Sequence, residues 1–300
     1  MIRRVGLLAC FLLVAAAHVF SYARLERVRM QAARSSHIQH IKPIMPPALA
    51  RLAAGEFKGL MADFMTLEAS SGIGYYLLQQ DIKMHDIPPE AWDVIYELLE
   101  ISQKLDPYFS DNYRIVQPFF TWAAQRPQQA ISFLKKGMDA RDWDWELPFF
   151  IGFDYFFFLD DNLQASHYLQ EAYSRPSGKG SITLATLSAK LLQKSGKTEV
   201  GIAYLTALLQ EELNETQRNA FEMRLNDLRR VLVVEKAVAA YQVRFGHPPE
   251  NTEALLRAGI LSAIPENSYD KTMPYCIDQT GKVFFDKPGC RETAALHRSN

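Results

Sequence analysis

Small and bulky residues recur through the middle of the chain at a constant spacing of 35 residues. The aligned positions are Ile95, Ala130, Ala165 and Val200; Leu99, Leu134, Leu169 and Tyr204; and Ser102, Gly137, Ala172 and Ala207. Within each repeat a slim residue is followed four later by a bulky one and three after that by a small one, the spacing of a single helix face. Such a face lets a neighbouring helix approach closely. Its repetition predicts a mostly α protein built as an α-solenoid of stacked helical hairpins, rather than one core folded around a catalytic centre. Leu60 and Phe64 lie one period upstream of Ile95 and Leu99, but Leu67 places bulk where a small residue is expected, so 48–80 reads as an atypical entry unit.

These columns resemble the second helix of a tetratricopeptide repeat (TPR), most clearly in the stretches 161–172 and 195–207. Leu105-Asp106-Pro107 and Pro176 stand where that family closes one hairpin and opens the next. The likeness covers about residues 88–212. First helices are less faithful, with Phe149, Gly152, Phe153 and Phe156 the nearest approach to the family's aromatic signature. The resemblance implies a protein-binding scaffold and carries over no functional residues, because the shared positions are packing positions.

The most aromatic segment, 143–159, holds nine Trp, Tyr and Phe residues. One helix cannot hide rings at every angle on one face, so most are expected in a buried mid-stack helix and the remainder in a binding groove. Trp145 and Tyr155, each with a polar tip, are the first groove candidates, with Phe149 and Phe156 beside them.

At the N-terminus, Arg3 and Arg4 precede an apolar run over 5–23 without an acidic or basic residue other than His18. At about 1.5 Å per residue it nearly spans a hydrocarbon core of about 30 Å, so 1–24 is expected to be a signal-anchor transmembrane helix in the lipid bilayer. A cleaved signal peptide ending near Ala15-Ala16-Ala17 is the rival reading. Residues 25–47, basic and ending in Pro43, Pro46 and Pro47, form a linker; 48–230 is the TPR-like repeat domain. Arg24, Arg27, Arg29 and Arg34 oppose the orientation set by Arg3 and Arg4, yet a short basic start leading into an apolar run is how an export signal begins. The body is therefore expected in the periplasm, tethered to the cell inner membrane.

From about Val231 the columns fail, with Glu235, Ala239 and Gln242 at the next positions, and 231–300 reads as a small α+β module. A helix runs to Arg244, a Phe245-Gly246-His247-Pro248-Pro249 turn follows, then a short helix and a hairpin of 275–278 with 282–286 around Gly281. That order resembles the globular end of type II secretion pseudopilins. The chain lacks the family's prepilin signature, and Asn267-Ser268-Tyr269-Asp270 replaces its usual Asp-Pro-Trp-Gly, so the resemblance implies a capping or docking domain rather than a polymerising pilin. Cys276 and Cys290 both fall here and suit a disulfide in an oxidising compartment; two unrelated thiols are the alternative.

A net charge of −1 removes the electrostatic argument for nucleic acid. There is no phosphate loop, Gly-x-Ser-x-Gly elbow or His-Glu-x-x-His. Asp160 and Asp161 read as a turn and helix cap rather than a catalytic pair, and His37 and His40 sit in the linker without a third ligand. No catalytic residue, metal or cofactor is assigned. The expected function is a non-enzymatic adaptor for protein partners in assembly or secretion at the bacterial cell envelope. An accessory subunit of a membrane enzyme complex, or an enzyme with a site of scattered polar groups, is the other class.

Overall fold

The computed structural model describes positions 14, 17, 20–22, 24 and 25, and residues 54–78, 83–266 and 275–284. The described residues are mostly helical. The chain forms two compact units that divide at Asn112/Tyr113. Most of the expected membrane span, the linker beyond Leu25, residues 48–53 of the entry unit, and Cys290 lie outside the described residues, among which no helix is long and apolar enough to cross a membrane.

In the first unit, α1 (Lys58–Leu77) packs on α2 (Pro89–Leu105). The face of α1 that meets α2 is built from Ala62, Thr66, Ala69 and Ile73, and the first three, being small, permit close approach. This corrects the register expected for the entry unit: Leu60, Phe64 and Leu67 are 66%, 40% and 62% exposed and face outward. The pair also shares a closed polar chain. Thr66 donates its hydroxyl to the Asn112 side-chain oxygen, Asn112 donates to Ser102 Oγ at 2.9 Å, and Ser102 donates to the Ala62 carbonyl at 2.8 Å. All three side chains are buried, and each finds its partner in another, so none is left as an uncompensated dipole.

In the second unit the helices follow one another as packed neighbours. They are α3 (Ser110–Pro118, which begins at the end of the first unit), α4 (Pro127–Ala140), α5 (Glu146–Phe157), α6 (Asn162–Ser174), α7 (Ile182–Lys194), α8 (Thr198–Leu208) and α9 (Glu215–Phe245). Contacts run α4 to α5, α5 to α6, α6 to α7, α7 to α8 and α8 to α9, with α9 also touching α7. Starts are written in the local sequence. Asp161 caps α6 by accepting the Gln164 N–H at 3.0 Å, and Asn214 and Gln217 form a reciprocal capping box for α9, each bond 2.9 Å.

The column residues Ala130, Leu134, Gly137, Ala165, Leu169 and Ala172 are all buried in helix contacts. In α8 the register moves by one. Val200 and Ala207 are exposed and Tyr204 half-buried, while Gly201, Leu205 and Leu208 face inward. The repeat itself is longer there: α4 to α6 start 35 residues apart, at Pro127 and Asn162, but α6 to α8 start 36 apart, at Asn162 and Thr198, and the α6–α7 connection (175–181) is longer than the α4–α5 connection (141–145). That longer loop is anchored by Arg175, 6% exposed, whose guanidinium donates to the carbonyls of Arg141 at 2.6 Å and Asp144 at 2.9 Å and pairs with Glu171 at 3.2 Å.

Position 231 lies inside α9, which continues unbroken, but its packing partners change there. Phe221, Leu225 and Leu228 join the core of α6 to α8, whereas Val231, Val234 and Val238 join Leu255, Tyr275 and Val283. The helix ends at Gly246, whose φ of +77° is the left-handed stop that glycine adopts without strain. Then come α10 (Thr252–Arg257) and a two-stranded antiparallel hairpin, β1 (Cys276–Ile277) with β2 (Val283–Phe284). At its turn Asp278 accepts the backbone N–H groups of Thr280 and Lys282, and Gly281 takes φ +87°. Partial burial alone would raise the Asp278 carboxyl; the bonds from Thr280 and Lys282 outweigh it and hold it below its usual range. Gln193 ties the hairpin to α7 by donating to the Val283 carbonyl at 3.1 Å. Cys276 is disulfide-bonded, and its partner thiol is outside the described residues.

The shifted register of α8 gives a direct test by thermal and urea unfolding. Ala172→Phe should destabilise by roughly 1 to 3 kcal/mol through overpacking, and Leu208→Ala by about 2 to 5 kcal/mol through the cavity it leaves. Ala207→Phe, on the exposed side, should stay within about 0.5 kcal/mol of the parent. Equal losses at 172 and 207 would restore the strict 35-residue register.

Candidate protein-binding surface

Helix α5 turns a narrow stripe inward, Leu147, Pro148, Ile151, Gly152 and Asp154. Gly152 sets its distance from α6: a Cβ there would lie 3.0 Å from the Ala165 carbonyl oxygen and 3.1 Å from Leu169 Cγ. The rings beside this stripe divide into two groups.

Trp145, Phe149, Tyr155 and Phe156, the residues expected to line a groove, are half-buried and packed against the core of α6 to α9. Trp145 and Phe149 touch at a ring separation of 5.6 Å. Tyr155 stacks on Tyr168 of α6 at 5.6 Å and 8°, and its hydroxyl accepts from Lys135 Nζ at 3.1 Å. That ammonium lies 5.3 and 5.0 Å from the two ring centres. Burial alone would lower the Lys135 pKa; hydrogen bonds with Tyr168 and Tyr155 outweigh it and hold it above its usual value. The polar tip of Tyr155 is thus spent inside the fold.

A second cluster, at the C-terminal end of α5, reaches solvent through two of its rings. Trp122 and Phe157 are each 53% exposed, 4.9 Å apart, and Phe158 closes a triangle with them, 4.9 Å from Trp122 and 5.0 Å from Phe157. Phe153 stacks on Phe157 at 5.5 Å and 11°. Trp122 owes its position to Pro118, after which the chain widens into a π-helical turn (Phe119–Ala123) closed by the Ala124 N–H to Phe119 carbonyl bond at 2.9 Å. The turn buries Phe120, Thr121 and Ala123 and leaves Trp122 outside. On α5, Phe153 and Phe157 are one turn apart, off the inward stripe. An i, i+4 pair of rings flanking a Gly-x-Asp stripe is the sequence signal that marks them, but nothing local to Trp122 announces the widened turn.

The two segments carrying this cluster are joined by a buried polar contact. Gln117, in the last turn of α3, donates to Asp154 Oδ1 at 3.1 Å, and Asp154 Oδ2 has no partner. Asp154 is fully buried, and burial pushes its carboxyl up to about 7, with the Gln117 bond offsetting only part of the effect. Among the described residues no group of three or more His, Cys, Asp or Glu side chains is placed to hold a metal ion.

Comparison with known proteins adds no relative: no family model matches the sequence, and no curated protein matches it significantly.

Asp154 makes stability depend on pH with a defined sign. Its pKa is about 7 in the fold against 3.8 for the ordinary carboxyl, so the folded chain holds a proton that the unfolded chain releases. The contribution is complete below pH ~4, falls as pH rises towards ~7, and is level above that, a change of up to about 4 kcal/mol. Asp154→Asn should remove this slope, so the variant gains on the parent in urea unfolding between about pH 4 and pH 7. A difference that stays constant across that interval would mean the carboxyl titrates normally.

Proposed function

We propose that this chain is a membrane-anchored scaffold of tetratricopeptide-like helical hairpins that holds a protein partner at the bacterial cell envelope. The observation that carries the reading is the aromatic cluster in which Trp122 and Phe157 are exposed and the half-buried Phe153 and Phe158 support them, all on or beside helical elements. Large rings in contact with one another and with water are costly to maintain in an isolated protein, and aromatic residues on rigid elements are the usual anchors of protein interfaces.

The repeat interpretation is supported by burial of the column residues in α2, α4 and α6 and by the sequential packing of α4 to α9. The anchor is supported by Val14, Phe20, Tyr22 and Leu25, helical positions whose side chains are 55% to 67% exposed, as lipid-facing residues would be. An oxidising location for the C-terminal module agrees with the disulfide at Cys276, for which Cys290 is the proposed partner.

A photoreactive amino acid at position 157 of the full chain, activated in intact cells, should yield a discrete protein adduct. Trp122→Ala should reduce its yield tenfold or more, equivalent to about 1.4 kcal/mol, without changing the helical circular-dichroism signal. Trp145→Ala with Tyr155→Ala should instead lower the melting temperature, because those rings pack inward. Absence of any adduct from position 157 would remove this surface from the reading.

A further inference from the structure

A pocket of about 500 Å³ opens between α6, the loop after it and the C-terminal end of α8. Its walls include Tyr173, Tyr204, Glu171, Glu211, His167 and Lys179. Tyr173 is 4% exposed and Tyr204 half-buried, their rings 6.5 Å apart and nearly perpendicular. Both hydroxyl oxygens are buried and neither closes a hydrogen bond. The Gly180 N–H favours the Tyr173 oxygen but does not meet it in hydrogen-bond geometry. Buried phenols normally find a partner, so two without one, side by side at a pocket wall, indicate a site whose partner comes from outside the chain.

The charges around the pocket decide the chemistry. Burial raises both phenols, Tyr204 the more strongly, and the Glu211 carboxylate raises both further, so the hydroxyls sit in a negative field. Glu171 turns one oxygen, Oε1, to Arg175. Glu211 is met at 3.6 Å by the ammonium of Lys179, a 63% exposed side chain that leans in from the rim. An exposed pair at that separation is weak, and an incoming cation with better geometry displaces the lysine into water. An anionic ligand would instead face two carboxylates.

We propose that this pocket receives the guanidinium of an arginine side chain from the bound partner. A planar guanidinium offers five N–H donors, enough to reach the two phenol oxygens and the Glu211 carboxylate together, and it stacks on tyrosine faces at low desolvation cost. The inference rests on the protein-binding reading above, and it gives that partner a second contact on α6 and α8, apart from the aromatic cluster on α5.

The test uses the full chain in detergent with tyrosine-selective isotope labelling, titrated with acetyl-Gly-Arg-Gly-amide. Saturable shifts of the Tyr173 and Tyr204 signals are expected, even if the affinity is only in the millimolar range. Glu211→Gln should weaken binding about tenfold and Tyr204→Phe about threefold, while the neutral citrulline peptide should give no saturable shift. Stronger binding of the peptide than of propylguanidinium supports a protein source. Equal binding of the two overturns that assignment in favour of a small guanidinium compound. No saturable shift up to about 10 mM, or equal binding of the citrulline peptide, overturns the proposal outright. Because this titration is independent of crosslinking at position 157, loss of one result leaves the other standing.

Discussion

Helices in the second unit meet where one of them has no side chain to interpose. Gly152 admits the backbone of α6 at Ala165, Gly201 admits α7 at the Ala189 carbonyl, and Gly137 admits the ring of Tyr113. A glycine in a helix interior costs about 1 kcal/mol of intrinsic propensity relative to alanine, and tertiary contact must offset that. Close approach does so by bringing Leu169 against Gly152 and Leu228 against Gly201, both leucines almost fully buried. The positions of the outward rings and of the tyrosine pocket are set by these helix separations, since α5 and α6 carry most of both.

A contact of this kind is readable from sequence because it repeats. Ala130, Leu134 and Gly137 announce Ala165, Leu169 and Ala172 thirty-five residues later, and the Asp161 cap and Gly246 stop are written in single residues. The register failed at α8 because the repeat lengthens there, with the loop 175–181 held by the buried Arg175 clamp, and a change of length does not show in a fixed-period comparison. It failed at α1 because its small residues, Ala62, Thr66 and Ala69, and not its bulky ones, face α2. At Val231 the sequence signal was real but of another kind, a change of packing partner along one continuous helix.

The functional surface was harder to read. Polar tips drew attention to Trp145 and Tyr155, yet the tip of Tyr155 is engaged by Lys135 and both rings pack inward. Trp122 reaches solvent through a π-helical turn that follows Pro118, and its ring partners Phe157 and Phe158 come from a segment 35 residues further along the chain. The pairing of Tyr173 with Tyr204 likewise joins residues from two helices whose spacing no local pattern encodes. Packing columns are periodic and survive in sequence; sites made by side chains from several helices are not periodic.

The claim that close approach at small residues organises the second unit is tested most directly by a double-mutant cycle on Gly137 and Tyr113. A Cβ at Gly137 would overlap the Cε1–Cζ edge of the Tyr113 ring, which is 1% exposed and has little room to retreat. Gly137→Ala should therefore destabilise the parent by about 1 to 3 kcal/mol in urea unfolding, despite the better helix propensity of alanine. In a Tyr113→Leu background the same change should be neutral or stabilising, a coupling of at least about 1 kcal/mol. The same cost in both backgrounds, or a stabilised Gly137→Ala single variant, would contradict the account.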